Sequence, residues 1–244
     1  MGAGPRCHPE GEWRDAEAAM GFYAEQAVPR ILDVACGAKM ARPLRRRVCA
    51  GLAGEVVEIG FGAGHNAPFY PQAVTGVSAV EPSDVAWRLA AKRVRDARVP
   101  VRRAGLDGQS LPFEDGRFDS ALSTWTLCTI PDAMAALREL RRVLKPGGTL
   151  HFVEHGLAPE GDWRVRRLQR RLEPLNMRLL GGCHLTRSAP DLLAAAGFTI
   201  TALDVFYEEG APKFLCAESL GTAISLRPTT RHETITRGTG PEPP

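Results

Sequence analysis

The chain has 244 residues, 44% of them hydrophobic, and a formal charge of +3 at neutral pH. That is enough apolar content for one well-packed α/β domain with attachments, and too little charge to argue for nucleic acid as a partner. The six cysteines, Cys7, Cys36, Cys49, Cys128, Cys183 and Cys216, lie scattered with no C-x-x-C pair. Their spacing favours reduced thiols over a disulfide framework or a zinc site, and nothing in the sequence implies a metal. No apolar run approaches the roughly 18 residues of a membrane span, and the start of the chain lacks the apolar core of a signal peptide. A cytoplasmic protein is expected.

Residues 1–10 are rich in Gly and Pro, and a helical pattern follows from about 12 to 26, with Trp13, Met20, Phe22 and Tyr23 offering an apolar surface. A second helix is expected over about 41–52, so that residues 1–52 read as a helical lid segment. From 53 to 226 strands alternate with helices, which implies a parallel sheet with right-handed crossovers. Strands are expected at 55–60, 75–80, 99–104, 118–124, 148–154, 199–208 and 213–223, and helices at 65–70, 84–97, 131–144 and 189–196. Lys145-Pro146-Gly147-Gly148 closes the third of these helices, with a cation in the last turn followed by residues that cannot continue it. An arginine-rich insertion falls at about 156–187, and residues 227–244, nearly devoid of apolar side chains, read as a disordered tail.

The stretch Glu58-Ile59-Gly60-Phe61-Gly62-Ala63-Gly64 follows the apolar pair Val56-Val57, and a second acid, Glu81, stands seventeen residues beyond it. Alternating glycines permit a tight strand-to-helix turn and close approach of backbone N–H groups to a ligand. An acid at the tip of the next strand can take two ribose hydroxyls. The acid Glu58 sits badly near a pyrophosphate and suits a ligand carrying an ammonium and a sulfonium. Ile31-Leu32-Asp33-Val34-Ala35-Cys36-Gly37 looks like a second such turn, but it has a single glycine and no strand-plus-acid successor, and it is set aside.

The E-x-G-x-G-x-G pattern resembles motif I of the class I methyltransferases. The resemblance implies a Rossmann-like, seven-stranded, mostly parallel sheet of order 3-2-1-4-5-7-6 with helices on both faces, and S-adenosyl-L-methionine as cofactor. Four segments are then expected to converge on it. Glu58, Gly60, Phe61, Gly62 and Gly64, with His65 and Asn66 opening the next helix, take the amino-acid end. Glu81-Pro82 takes the ribose, Asp107-Gly108 the adenine, and Thr124-Trp125 at the end of the fourth strand lines the gap towards substrate.

Beyond the fifth strand, Phe152-Val153-Glu154-His155, Trp163, Gln169, Leu172-Glu173-Pro174 and Gly181-Gly182-Cys183-His184-Leu185-Thr186-Arg187 stand in order. With Trp125-Thr126-Leu127-Cys128-Thr129-Ile130, this series resembles the methyltransferase-like 7 family, the alkyl thiol S-methyltransferases, and its bacterial relatives, over roughly residues 55–220. The resemblance implies methyl transfer to a small molecule, with a thiol first. O-, N- or C-methylation of a natural product or lipid headgroup is the alternative, and a non-catalytic cofactor-binding protein ranks third. The chain departs from the family in its polar start, where animal members carry a hydrophobic anchor, and in Glu81, where the family has aspartate.

His155 and His184 are the candidate catalytic imidazoles, and Tyr23, Thr126 and Arg187 the candidate substrate contacts, with Arg187 equally suited to capping the preceding loop. Cys183 reads as a small buried hydrophobe, because the displacement needs no covalent intermediate. Val165, Leu168 and Leu172 recur at helical spacing among arginines over 163–172. That pattern fits a solvated helix laid over the site, or weak peripheral contact with anionic lipid.

Overall fold

Val56 and Val57 are neighbours in the chain, fully buried, and packed into two different apolar clusters, one on each face of a seven-stranded sheet. A strand buried on both faces has no need of polar alternation, which is why this segment reads as a continuous apolar run. The computed structural model describes residues 23–226. Most of the helix expected at 12–26, and the whole of the tail at 227–244, lie outside the described residues.

Chain order runs from a π-helical turn (Tyr23–Ala27) through α1 (Val28–Cys36), α2 (Ala41–Cys49), β1 (Gly54–Ile59), β2 (Val74–Val80), α3 (Asp84–Arg95), β3 (Val101–Gly105) and β4 (Phe118–Thr124). It continues with α4 (Ala133–Val143), β5 (Leu144–His155), α5 (Trp163–Leu179), α6 (Ala189–Ala195), β6 (Thr199–Tyr207) and β7 (Ala217–Ile224). The sheet order is β3-β2-β1-β4-β5-β7-β6. Strands β1 to β5 pair in parallel, and β7 runs antiparallel between β5 and β6. Leu137 and Leu140 of α4 and Leu193 of α6 cover one face, while Leu44 and Val48 of α2 and Ala90 of α3 cover the other. Helices therefore flank the sheet on both sides, as the Rossmann-like reading requires. Ser83, Asp132 and Ser188 cap α3, α4 and α6 by accepting from the N–H three residues on.

Several local expectations differ from the structure. The helix expected at 65–70 is a single 3-10 turn, Ala67–Phe69, because Pro68 and Pro71 withhold N–H donors and Asn66 and Tyr70 are pulled back onto Glu58. The segment at 31–37 is, as expected, no strand-to-helix turn: it belongs to α1, which starts with Pro29 in its first turn and ends before Gly37. Helix α5 extends to Leu179, well past the expected 163–172, and carries Pro174 within it. The last strand begins at Ala217 rather than 213, because Lys213–Leu215 forms a 3-10 turn after Pro212. Among the described residues no helix is long and apolar enough to cross a membrane.

Candidate active site

The carboxyl ends of β1, β2 and β4 open onto a cavity of about 580 Å³, within the size range of small-molecule sites. Open α/β sheets bind ligands at this edge, where neighbouring connections diverge to opposite faces. The sheet side of the wall is formed by Gly60-Phe61-Gly62, Glu81-Pro82, Leu106 to Gln109 and Thr124-Trp125-Thr126. Val28, Pro29, Leu32, Asp33 and Cys36, which recur on one face of α1, form the cover.

Gly60, Gly62 and Gly64 all have positive φ, at 63°, 57° and 76°. At Gly60 the requirement is also spatial, since a Cβ there would fall 2.0 Å from Oγ1 of Thr126. The turn is therefore packed directly against the loop after β4, and only a hydrogen at this position lets the two meet. Behind it, Glu58 is fully buried and accepts from Asn66 Nδ2 at 2.9 Å and from the Tyr70 hydroxyl. Asn66 in turn donates to Thr124 Oγ1 at 3.0 Å and accepts from Arg45 Nη1 at 2.6 Å. Burial pushes the Glu58 carboxyl up to about 7, against the opposing pull of Tyr70, Asn66 and Arg45. Glu58 anchors the turn from below and does not form part of the cavity wall.

Glu81 is placed differently. It lines the cavity, with Oε2 accepting from Gly62 N–H at 2.7 Å and Oε1 from Ser83 N–H at 2.7 Å. Each oxygen keeps a lone pair, so the carboxylate is fixed in orientation yet able to accept two further donors. Burial raises its affinity for a proton, and the two N–H groups and Arg103 oppose that. Asp107 also lines the cavity, with Oδ1 accepting from Gln109 N–H at 2.8 Å. Leu111 N–H on Glu139 Oε2 at 2.8 Å, and Arg142 on the carbonyls of Leu111 and Phe113, secure that loop.

Trp125 is the one non-glycine with positive φ among the described residues, at 51°. Strain of that kind persists where surrounding contacts over-determine it. Here Trp125 N–H donates to Val153 O at 2.8 Å, its Nε1 donates to Glu218 Oε2 at 3.1 Å, and the Arg45 guanidinium lies 4.6 Å from the ring centroid. Glu154, buried at the end of β5, accepts from Ser123 Oγ at 2.6 Å and from the N–H groups of Thr126 and Leu127 at 2.9 and 3.0 Å.

Gly60, Phe61, Gly62, Glu81, Pro82, Asp107, Gly108, Thr124, Trp125 and Thr126 thus share one cavity. Gly64 and Asn66 stand behind the turn with Glu58. The other candidates lie apart from the wall. Tyr23 donates to Leu179 O at 3.0 Å. His184 Nδ1 lies 2.7 Å from Glu173 Oε1, whose carboxylate also accepts from Leu185 N–H, Thr186 N–H and Thr186 Oγ1. Arg187 spends its guanidinium on the carbonyls of Leu127, Ile130 and Pro131, the capping role. His155 faces Cys183, with Nε2 2.7 Å from Sγ. Cys183 is buried, as a small hydrophobe would be, but its thiol has a polar partner.

The imidazole that does line the cavity is His65. Its Nε2 lies 2.8 Å from Asp33 Oδ1 of the cover, and Arg93 Nη1 lies 3.3 Å from the same oxygen. Burial, then Arg93 and Arg45, lower the proton affinity of His65, and Asp33 only partly offsets them. Arg45, itself 5% exposed, donates to Cys36 O at 2.9 Å and so ties α2 to the end of α1. Sequence reasoning missed Asp33 and Cys36 because α1 puts Ile31 and Val34 outside, 44% and 77% exposed, and it missed Arg45 because nothing local distinguishes it from the neighbouring arginines of α2.

Residues 57–152 match the family model described as a methyltransferase domain. With the sheet order, this gives the core of the chain the Rossmann-like fold of the class I methyltransferases. A SAM-dependent methyltransferase from Methanosarcina mazei superposes with a TM-score of 0.54 at 23% identity, over 70% of this chain and 92% of that one. The chain is further similar to the thiol S-methyltransferase TMT1B of Rattus norvegicus, 33% identical over 152 residues, 61% of this chain and 62% of that protein. The human thiol S-methyltransferase TMT1A is 32% identical over 155 residues, 62% and 63% of the two chains. The match spans less than two thirds of these relatives. Fold and domain imply S-adenosylmethionine as cofactor. The residues present fit it, with the Glu81 carboxylate fixed between two backbone donors at the cavity edge and open space in front of Gly62, where a Cβ would meet only Gly60 O at 3.8 Å.

Proposed function

We propose that the protein is an S-adenosylmethionine-dependent methyltransferase acting on a small-molecule nucleophile, with a thiol as the acceptor. The observation that carries the first part is Glu81, held at the cavity edge by the N–H groups of Gly62 and Ser83 with acceptor capacity to spare. The second part rests on the likeness to the thiol S-methyltransferases. When bound, the cofactor supplies a methyl group on a sulfonium, a leaving group that needs no further activation. Glu81 orients the ribose, Asp107 accepts from the adenine amine, and the glycine turn receives the amino-acid end. Trp125, Thr126 and α1 keep water from the line between nucleophile and methyl, so that the protein's contribution is alignment in a dry pocket.

A thiol of ordinary pKa near 8.5 is already a few per cent thiolate at neutral pH, and little base catalysis is required. His65, the imidazole of the wall, is kept neutral by burial and by Arg93 and Arg45, which is the form that can take the proton. Thiol and methyl donor give thioether, S-adenosylhomocysteine and one proton. The test is incubation of the protein and labelled cofactor with a panel of thiols, phenols, amines and lipids. Label in the thioether product is expected; label in phenols or lipids with none in thiols overturns the acceptor assignment and leaves the cofactor assignment standing.

We also propose weak peripheral contact of α5 with an anionic bilayer. Trp163, Leu168, Leu175 and Leu179 are exposed on a helix rich in arginine. Co-sedimentation with phosphatidylglycerol vesicles but not phosphatidylcholine vesicles is expected; equal recovery with both contradicts it.

A further inference from the structure

Three side chains that the methyl-transfer chemistry leaves unused meet behind the cavity. Cys128 stands in the loop after β4, His155 ends β5, and Cys183 lies in the loop after α5. Their ligand atoms all fall within 4.8 Å of one another, and the two cysteines are 2% and 9% exposed. The loops that carry them are joined by bonds that use none of these side chains. His184 N–H donates to Cys128 O at 2.8 Å, Asn176 Nδ2 to Cys183 O at 2.6 Å, and Arg187 to the carbonyls of Leu127 and Ile130. His155 is fixed in the sheet by pairing with Glu218 of β7. The polar contacts of the three groups are chiefly with one another, apart from Thr129 Oγ1 at 3.5 Å from Cys128 Sγ. Two thiols and an imidazole in a preformed, buried cluster are more than packing needs.

We propose that Cys128, His155 and Cys183 form a binding site for a soft divalent cation, zinc by preference. Two thiolates and a neutral imidazole are the donor set that selects zinc over magnesium, calcium or manganese. With Zn–S near 2.3 Å and Zn–N near 2.0 Å, tetrahedral ligands sit roughly 3.4–3.8 Å apart, so His155 and Cys183 must spread by somewhat under about 1 Å while the wider separations in the cluster close by up to about the same amount. On binding, the cation replaces the two thiol protons, which leave to solvent, and the site becomes electrically neutral. Three protein ligands leave a fourth position for water. The site lies behind the cavity wall, since Thr129 and Gly181, the near neighbours of Cys128 and Cys183, both line it. Its effect is to clamp the loop after β4 to the loop after α5. This inference does not depend on the methyl-transfer reading.

The test uses the full-length protein, reduced and freed of metal by a chelator. Titration with Co2+ is expected to give, at one equivalent per chain, the intense near-ultraviolet sulfur-to-cobalt band and the visible bands of a tetrahedral site. Zn2+ is expected to displace the cobalt and raise the melting temperature. Cys128→Ser and Cys183→Ser should lose the near-ultraviolet band or weaken binding about 100-fold, while Cys49→Ser and Cys216→Ser keep it. Absence of the band in fully reduced wild-type protein overturns the proposal, even if a variant fails to fold. So does a Cys128–Cys183 disulfide found by mass spectrometry in protein purified without oxidant.

Discussion

On the sheet side of the cavity, Glu58, Glu81 and Glu154 each engage donors through both carboxylate oxygens, and those donors come from the segment after β1 (Gly62, Asn66, Tyr70), from Ser83 after β2, and from β4 and the loop after it (Ser123, Thr126, Leu127). On the cover side, α1 is held by far fewer polar links, chiefly Asp33 to His65 and Arg93, and Cys36 O to Arg45. The sheet side is thus shaped by backbone that cannot move without breaking several buried bonds. The cover rests on single side chains and can part from the sheet at modest cost. A cofactor site needs the first kind of construction, and an entrance for cofactor and substrate needs the second.

Substitutions can separate the two. The largest effect is expected at Gly60→Ala, where positive φ and the collision with Thr126 act together. S-adenosylhomocysteine affinity should fall by about 100-fold or more, a cost of a few kcal/mol. Calorimetry showing affinity within threefold of wild type would mean that the turn and the loop after β4 are not packed as described. Next, Glu173→Ala removes the acceptor shared by His184, Leu185 and Thr186 and should cost about 2–4 kcal/mol in chemical denaturation. Cofactor affinity should stay within twofold. A large loss of affinity without loss of stability would instead place that loop in the site.

On the cover, Asp33→Ala should weaken S-adenosylhomocysteine binding by about 3–10-fold and speed proteolysis within α1, with the melting temperature nearly unchanged. An unchanged cleavage pattern would show that the Asp33–His65 link does not hold the cover.

A pH dependence is expected as well. Glu58 ionises near 7 in the folded protein against an ordinary 4.5. Between those values the folded state holds the proton that the unfolded chain has lost, so stability falls as pH rises through the window. The melting temperature of wild type relative to Glu58→Gln should therefore decline from about pH 5 to pH 7.5. Parallel curves for the two proteins would show that the carboxyl is not desolvated.

The same contrast explains what could be read from the chain. The glycine turn, Glu81 and the Asp107 loop are local signals, in which residue type answers to backbone conformation a few positions away, and they mapped onto one cavity. The strand order followed from resemblance, and the sheet agrees with it. His155, His184 and Arg187 were visible as chemistry, but their partners Cys183, Glu173 and the carbonyls of 127–131 are distant in sequence or belong to the backbone, and no spacing rule brings them together. His65 went unweighted because its carboxylate partner sits on a helix whose outward residues, Ile31 and Val34, masked its inner face. The Cys128–His155–Cys183 cluster escaped because its members come from three elements far apart in the chain.

The central claim is that the cavity at the ends of β1, β2 and β4 binds the cofactor through Glu81. Isothermal titration of wild type and Glu81→Ala with S-adenosylhomocysteine tests it most directly. Saturable one-to-one binding that the substitution weakens by about tenfold or more is expected, because two ribose hydroxyls lose a fixed acceptor. Equal affinity in the two proteins, with both folded, would contradict it.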